Sequence, residues 1–549
     1  MAGLIEVARW WRQRQRQDPR LAAGLPPEVQ TAKPRTQLVY VTQTPDGRRF
    51  LERRVRELKG TLDECPRREA AEISGSLGSI LHLLGRLEEA EAHLESAVKQ
   101  EGRFACQLER VRRERAARQT LLDVRRAPAE PIAVWETIDR IDSSDLSKQD
   151  FQRRYAGAGR PVIITGLVRR MFAKGVWTRE RLRAELGSKT VVPRHRVPQS
   201  PDWASLEDAP ASTVSSFLDA MEKEGGSDLG QSCSGESQKE DPRTRKASPA
   251  VQSYLFDWNL PDNAPELCSE LSIPAYFADD LLQQLPEGTM YRDAWPSLFV
   301  GPRGTRSGLH IDAFGSNFWM AVLEGTKRWK LYRRSDAALL GPSYKVSLDP
   351  TFAAERDFEP GGGTLAGRAS AGLDHEGGDE RADEKEEHAG HLAGGWDFEL
   401  SAGDVLFVPA GCPHGVCNLT DSVAISANYV DYSNLALAIA ELELACAEDA
   451  RAKVVLDSLR QRQEEVAGVE LDGKEAGGKD TDAAGGGSSA ARSSSPGDVQ
   501  CDSGLGPVPA VSRAEPAERE SWAAAAPLLV PWSQFKRESS SHLQKRMRL

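Results

Sequence analysis

The chain has 549 residues, of which 39% are hydrophobic and 28% charged, with a formal net charge of −11. That length accommodates two or three domains, and the apolar share supports a proper core beside sizeable non-globular parts. The acidic balance excludes nucleic-acid binding by bulk charge and is compatible with a basic protein partner. Eight cysteines without a C-x-x-C pair exclude a zinc ribbon and a disulfide framework, and they fit a reducing compartment, cytosol or nucleus. No run approaches roughly 18 apolar residues, so no membrane span is expected. Arg9, Arg12, Arg14 and Arg16 without an apolar run argue against a secretion signal.

In chain order, residues 1–36 read as a disordered N-terminus and 37–127 as a helical region. Residues 37–42 (Q-L-V-Y-V-T) read as a short strand, and Pro45 to Gly47 as a turn. Leu77, Gly78, Leu81, Ala90, Leu94 and Ala97 fall at the spacing of one tetratricopeptide repeat, with a turn at Gly85. A lone repeat cannot bury its apolar face, so either neighbouring helices complete it or it is an ordinary helical hairpin.

Pro128 to Pro131 marks a boundary, and 128–434 reads as the main globular domain. Strands are expected at 162–165, 298–301, 319–323, 328–332, 396–400, 405–408 and 423–428. Helices are expected at 177–186, 213–223 and 273–285, the last anchored by Tyr276 and Phe277. Two inserts, 224–247 and 357–395, are flexible by composition, the second carrying His375, His388 and His391 as solvated residues. Residues 435–465 read as one long helix that could pair in a homodimer. The stretch 466–549 reads as a mostly disordered tail, in which Trp532, Phe535 and the basic end Lys545-Arg546-Met547-Arg548 offer a docking or import signal. Many strands with short turns, and helices at both ends, fit a small antiparallel barrel with a helical surround.

The chemistry concentrates in two stretches. Residues 301–329 begin G-P-R-G-T-R-S-G-L-H-I-D, with His310 and Asp312 two apart. On extended backbone such residues emerge on one face. Residues 406–418 read L-F-V-P-A-G-C-P-H-G-V-C-N, with His414 after a strand and turn. Two histidines and one carboxylate are the set that holds non-haem Fe(II) and leaves positions open. A lone histidine is usually structural and a His-x-Asp pair often arises by chance. The glycines before this pair, and the G-D-x-L-x-V-P-x-G-x-x-H stretch before His414, set these three apart.

These motifs, with E-G-T-K-R-W at 324–329, R-R-Y-A-G-A-G-R-P-V-I-I at 153–164 and I-P-A-Y-F-A-D-D-L at 273–281, resemble the jumonji-C branch of Fe(II)/2-oxoglutarate oxygenases. The resemblance covers roughly 135–433 and is nearest the arginine demethylase/lysyl hydroxylase (phosphatidylserine receptor-like) group. It implies a mainly β fold: a double-stranded β-helix (cupin, jelly-roll) core with flanking helices. It implies Fe(II) on His310, Asp312 and His414, with 2-oxoglutarate and O2 at the open positions. It further implies that Lys327 holds the far carboxylate of 2-oxoglutarate, that Ser426 and Asn428 line the same pocket, and that Tyr254 contacts the co-substrate carboxylate. Met320 departs from the pattern, since the nearest relatives place an asparagine there and a thioether cannot donate a hydrogen bond. Cys412 and Cys417 flank His414 without being expected ligands. The implied activity is hydroxylation or N-methyl demethylation of a protein side chain, in nucleus or cytoplasm. The alternatives are a tRNA base as substrate of the same chemistry, or a non-catalytic binding module.

Overall fold

Thr44 starts the first helix, and it does so where the sequence reads as a turn. Its hydroxyl accepts from Gly47 N at 3.0 Å, and Pro45 takes the first helical position, where a missing N–H costs nothing. The P-D-G stretch is therefore the opening of helix α1 (Pro45–Glu64), not a turn between elements. The structure, a computed structural model, describes residues 44–126, 133–196, 204, 206–226, 253–345, 347–352, 392–476 and 528–536. The N-terminal 1–36, the strand at 37–42, most of both inserts with His375, His388 and His391, and most of 466–549 lie outside the described residues. The chain divides into two units, Met1–Arg460 with Leu528–Leu549, and Gln461–Pro527. In the second, the described residues 461–476 are helical.

Helices α2 (Arg67–Leu83) and α3 (Leu87–Val98) form a hairpin through Gly85, whose φ of +80° suits glycine. A Cβ on Gly78 would lie 2.6 Å from Leu94 Cγ, so only glycine lets these helices approach. Leu77, Leu81, Ala90, Leu94 and Ala97 face Phe50, Leu51 and Val55 of α1 and Leu108 and Val111 of α4 (Ala105–Arg126). Flanking helices thus bury the face that a single repeat leaves open. The end of α4 carries Leu121 into a cluster with Tyr332, Leu339 and Leu340 of the barrel.

The barrel is two facing sheets. Its strands are β1 (Val162–Thr165), β2 (Ser253–Asn259), β3 (Ser297–Gly301), β4 (Arg306–His310), β5 (Asn317–Glu324), β6 (Thr326–Tyr332), β7 (Gly395–Ser401), β8 (Val405–Val408), β9 (His414–Asn418) and β10 (Ser422–Tyr429). The larger sheet runs Asp139–Asp142, β1, β8, β5, β10, β3, β2, Arg194–Arg196, Leu206–Asp208. The smaller runs Trp135–Glu136, β7, β6, β9, β4. Period-2 alternation sorts the side chains. Phe318, Met320 and Val322 of β5 point between the sheets with Trp329, Leu331 and Val416, while Trp319, Ala321 and Leu323 point out into a second core under the helices.

Three further expectations are corrected. Residues 273–285 do not form a helix. Ser272–Pro274 is a strand paired with Leu529–Pro531, followed by 3-10 turns at Ala275–Phe277 and Leu281–Gln284. The Asp280 carboxylate accepts from Leu282 N at 3.0 Å and Val430 N at 3.2 Å, bonds that compete with a helical ladder. The tail is not wholly unstructured, since L-L-V-P-W-S-Q-F carries enough apolar surface to dock. Phe535 is buried in the outer core, and Lys536 pairs with Gln283 (2.6 Å) and Asp293. The long helix is two, α5 (Leu435–Glu448) and α6 (Ala452–Ala476), broken where Asp449 is extended and its carboxylate accepts from Arg451 N at 2.9 Å. Leu435, Ala438, Ile439 and Leu442 of α5 pack on Phe314, Val430 and Leu281 within the chain. Among the described residues no helix is long and apolar enough to cross a membrane.

Candidate metal centre and its pocket

Strands β4 and β9 are antiparallel neighbours, and their register sets His310 directly opposite His414. Opposite residues share a face, so two histidines far apart in sequence bring their ring centroids to 4.3 Å. His310 Nδ1 lies 2.8 Å from Gly308 O and His414 Nδ1 lies 3.0 Å from Cys412 O. A carbonyl only accepts, so the proton sits on Nδ1 and each Nε2 presents a lone pair. β4 ends at His310, but Asp312 keeps an extended backbone (φ −65°, ψ 145°) as it enters the Ala313–Gly315 turn. Its Oδ1 is 3.9 Å from both Nε2 atoms, and the potential ligand atoms of all three residues lie within 4.8 Å of one another.

The electrostatics suit a cation. Burial, then the neighbouring His414, hold the His310 pKa well below its ordinary value, so the ring is a neutral donor at neutral pH. Burial pushes the Asp312 carboxyl up, offset in part by His414 and by the Asn428 amide. A divalent ion would remove that penalty. Asn428 Nδ2 also donates to Ser316 Oγ at 2.9 Å, which places Asn428 beside Asp312. His414 is further steadied by Trp329, whose ring stacks on it at 5.5 Å.

Lys327 on β6 is fully buried. Its Nζ donates to Asn418 Oδ1 at 2.7 Å and Tyr254 Oη at 3.2 Å, and lies 5.4 Å from the centre of the Tyr254 ring. No carboxylate of the described residues pairs with it, and burial pulls its pKa from 10.5 to about 7. An unpaired buried ammonium is costly, and its hydrogen-bond partners pack closely over Gly301. A Cβ on Gly301 would come 2.6 Å from Tyr254 Cδ2 and 2.7 Å from both Asn418 Nδ2 and Thr305 Oγ1. Ser426 sits opposite Met320, which points between the sheets, so its hydroxyl faces the same interior. The hydroxyls of Ser307, Ser422 and Ser426 and the Trp329 Nε1 are buried without a hydrogen-bond partner among the described residues. An interior that holds a buried ammonium and orphaned hydroxyls fits a small anionic, oxygen-rich ligand.

The cupin-like domain family matches residues 148–434, more than half of the chain. The chain belongs to this family. Relatives of the cupin-like chain include an arginine-specific demethylase, JMJ22, of Arabidopsis thaliana, 32% identical over 33% of this chain and 32% of its own length. The bifunctional arginine demethylase and lysyl-hydroxylase psr-1 of Caenorhabditis elegans is 24% identical over 55% of this chain and 63% of its own. The 2-oxoglutarate and iron-dependent oxygenase JMJD4 of Danio rerio is 29% identical over 34% of this chain and 39% of its own. The matches thus span less than two thirds of these relatives.

Of the residues singled out in the sequence, the cupin-like barrel brings His310, Asp312 and His414 together, sets Tyr254 against Lys327, and turns Ser426 inward. Cys412 contributes its carbonyl to His414, and its thiol stays in the interior core. Sequence reasoning missed Asn418, Thr305 and Gly301. Asn418 Nδ2 donates to Thr305 Oγ1 at 2.8 Å, which aims its oxygen at Lys327. Gly301 and Thr305 stood inside the G-P-R-G-T motif, yet only strand pairing shows what they face.

Proposed function

We propose that this cupin-like chain is an Fe(II)- and 2-oxoglutarate-dependent dioxygenase acting on a protein side chain, by lysyl hydroxylation or by demethylation of methylated arginine or lysine. The observation that carries the reading is the fully buried Lys327, without a carboxylate partner among the described residues, in the same interior as a His310–Asp312–His414 cluster. His310 and His414 would offer Nε2 and Asp312 a carboxylate oxygen to the metal, and Lys327 with Tyr254 would take the far carboxylate of 2-oxoglutarate. Ser426, placed inward with a free hydroxyl, would satisfy a further polar atom of that ligand. Bound Fe(II) supplies oxygen activation, coupled to conversion of 2-oxoglutarate to succinate and CO2. The protein's share is to hold the metal on one face, orient the co-substrate through one buried cation, and keep bulk water from the cavity.

The test is Fe(II)-dependent succinate release in the presence of basic peptides, with mass spectrometry of the peptide. Gain of one oxygen indicates hydroxylation, and loss of a methyl group indicates demethylation. Turnover with tRNA alone would move the substrate to nucleic acid. Failure to retain iron together with failure to bind 2-oxoglutarate would leave a non-catalytic binding module.

A further inference from the structure

Strand β2 changes phase at one residue. Tyr254 and Phe256 belong to the interior cluster, while Leu255 and Trp258 belong to the outer core. Uninterrupted alternation would put Asp257 outside beside Leu255, and Trp258 inside. The pairing with β3 slips instead: Val300 faces Leu255 and Leu298 faces Trp258, so three steps on β2 answer two on β3. The extra residue is taken up in a bulge where Asp257 has φ +55°. Aspartate tolerates the left-handed region better than most residues, but glycine would occupy it without strain. The position therefore keeps a carboxylate where the backbone alone would prefer none.

That carboxylate sits close to the barrel interior: Asn259, two residues on, pairs with the buried Ser297, and Ser297 pairs on its other side with the inward Ser426. Asp257 is exposed although Tyr254, Leu255 and Trp258 around it are buried. Ser297 and Trp295 lie beside it, and Asp312 and Arg194 are within electrostatic reach. Arg194 directs its Nε to Asp208 at 3.4 Å, and no ion pair to Asp257 forms among the described residues. Asp257 and Asp312 are both acidic and Arg194 is drawn to Asp208, so a phosphate backbone would be repelled there.

We infer that Asp257 determines specificity, pairing with the ammonium or guanidinium of the side chain presented to the metal centre. This rests on the dioxygenase reading above and gives its substrate a required charge. The full-length Fe(II) protein with 2-oxoglutarate, held without oxygen, is titrated with fluorescent glycine/alanine-flanked peptides. These carry one central lysine, norleucine, arginine or citrulline. The cationic peptides are expected to bind about tenfold tighter than their neutral counterparts. Asp257→Asn should bring that ratio close to one. Asp257→Gly should do the same with a higher Tm, because the bulge strain is relieved and the fold is intact. Equal binding of neutral and cationic peptides, no binding of either, or a ratio that survives both substitutions overturns the inference. Iron and 2-oxoglutarate content of the same samples reports on the dioxygenase reading separately.

Discussion

Lys327→Met removes the buried ammonium and keeps most of its apolar stem. In the ligand-free protein, burial lowers this group from 10.5 to about 7. One pKa unit is worth about 1.4 kcal/mol, so carrying the charge costs on the order of 4 kcal/mol of folding stability at neutral pH. The sign follows from a base whose folded pKa is depressed. Above 10.5 neither state is charged and nothing is lost; stability then falls as pH drops toward about 7, and below that the penalty is constant. Methionine removes this term and also the hydrogen bonds to Asn418 (2.7 Å) and Tyr254 (3.2 Å), each worth about 1 kcal/mol. The ligand-free variant should therefore be more stable than the parent by about 2 kcal/mol near neutral pH. That gap should shrink as the pH rises and reverse before 10.5, where the charge penalty is gone and only the lost hydrogen bonds remain. Its affinity for 2-oxoglutarate should fall about tenfold to a hundredfold, because a charge-assisted bond to the far carboxylate is lost. Urea unfolding with and without 2-oxoglutarate, at neutral and alkaline pH, reads both effects. A variant that is less stable without ligand near neutral pH and binds 2-oxoglutarate as the parent does would refute the reasoning.

Asp312→Ala should weaken Fe(II) binding by at least about tenfold, read by calorimetric titration with Mn(II) as a stand-in; unchanged affinity would place the metal elsewhere. Because burial raises the Asp312 carboxyl, metal affinity should decline on acidification before the ordinary carboxylate range is reached, and a flat profile down to that range contradicts the geometry. Gly301→Ala puts a methyl 2.6 Å from Tyr254 Cδ2, so it should cost about 1–3 kcal/mol in chemical denaturation and weaken 2-oxoglutarate binding as Tyr254 and Asn418 move off Lys327. Phe535→Ala, in the docked C-terminal segment, should lower stability by about 3 kcal/mol; no change in Tm would mean that the segment does not pack in solution.

The sequence by itself determined the chemistry of the centre and most of the strands. His310-x-Asp312 and the turn before His414 named the ligand set, and 162–165 and 405–408 were legible because continuous apolar runs bounded by Gly and Pro have few other solutions. Local signals misled where a side chain competes with the backbone. Thr44 turns P-D-G into a helix start, Asp280 breaks an apolar stretch that reads as helix, and Asp449 splits one helix in two. Tertiary structure alone decided what strand register brings together. No spacing along the chain pairs Asn418 with Lys327, brings Tyr254, Asn418 and Thr305 close over Gly301, or slips β2 by one residue at Asp257. The reason is physical: hydrophobic period fixes which face a residue takes, but contact across a sheet depends on the partner strand, and partners here lie up to the length of a domain away.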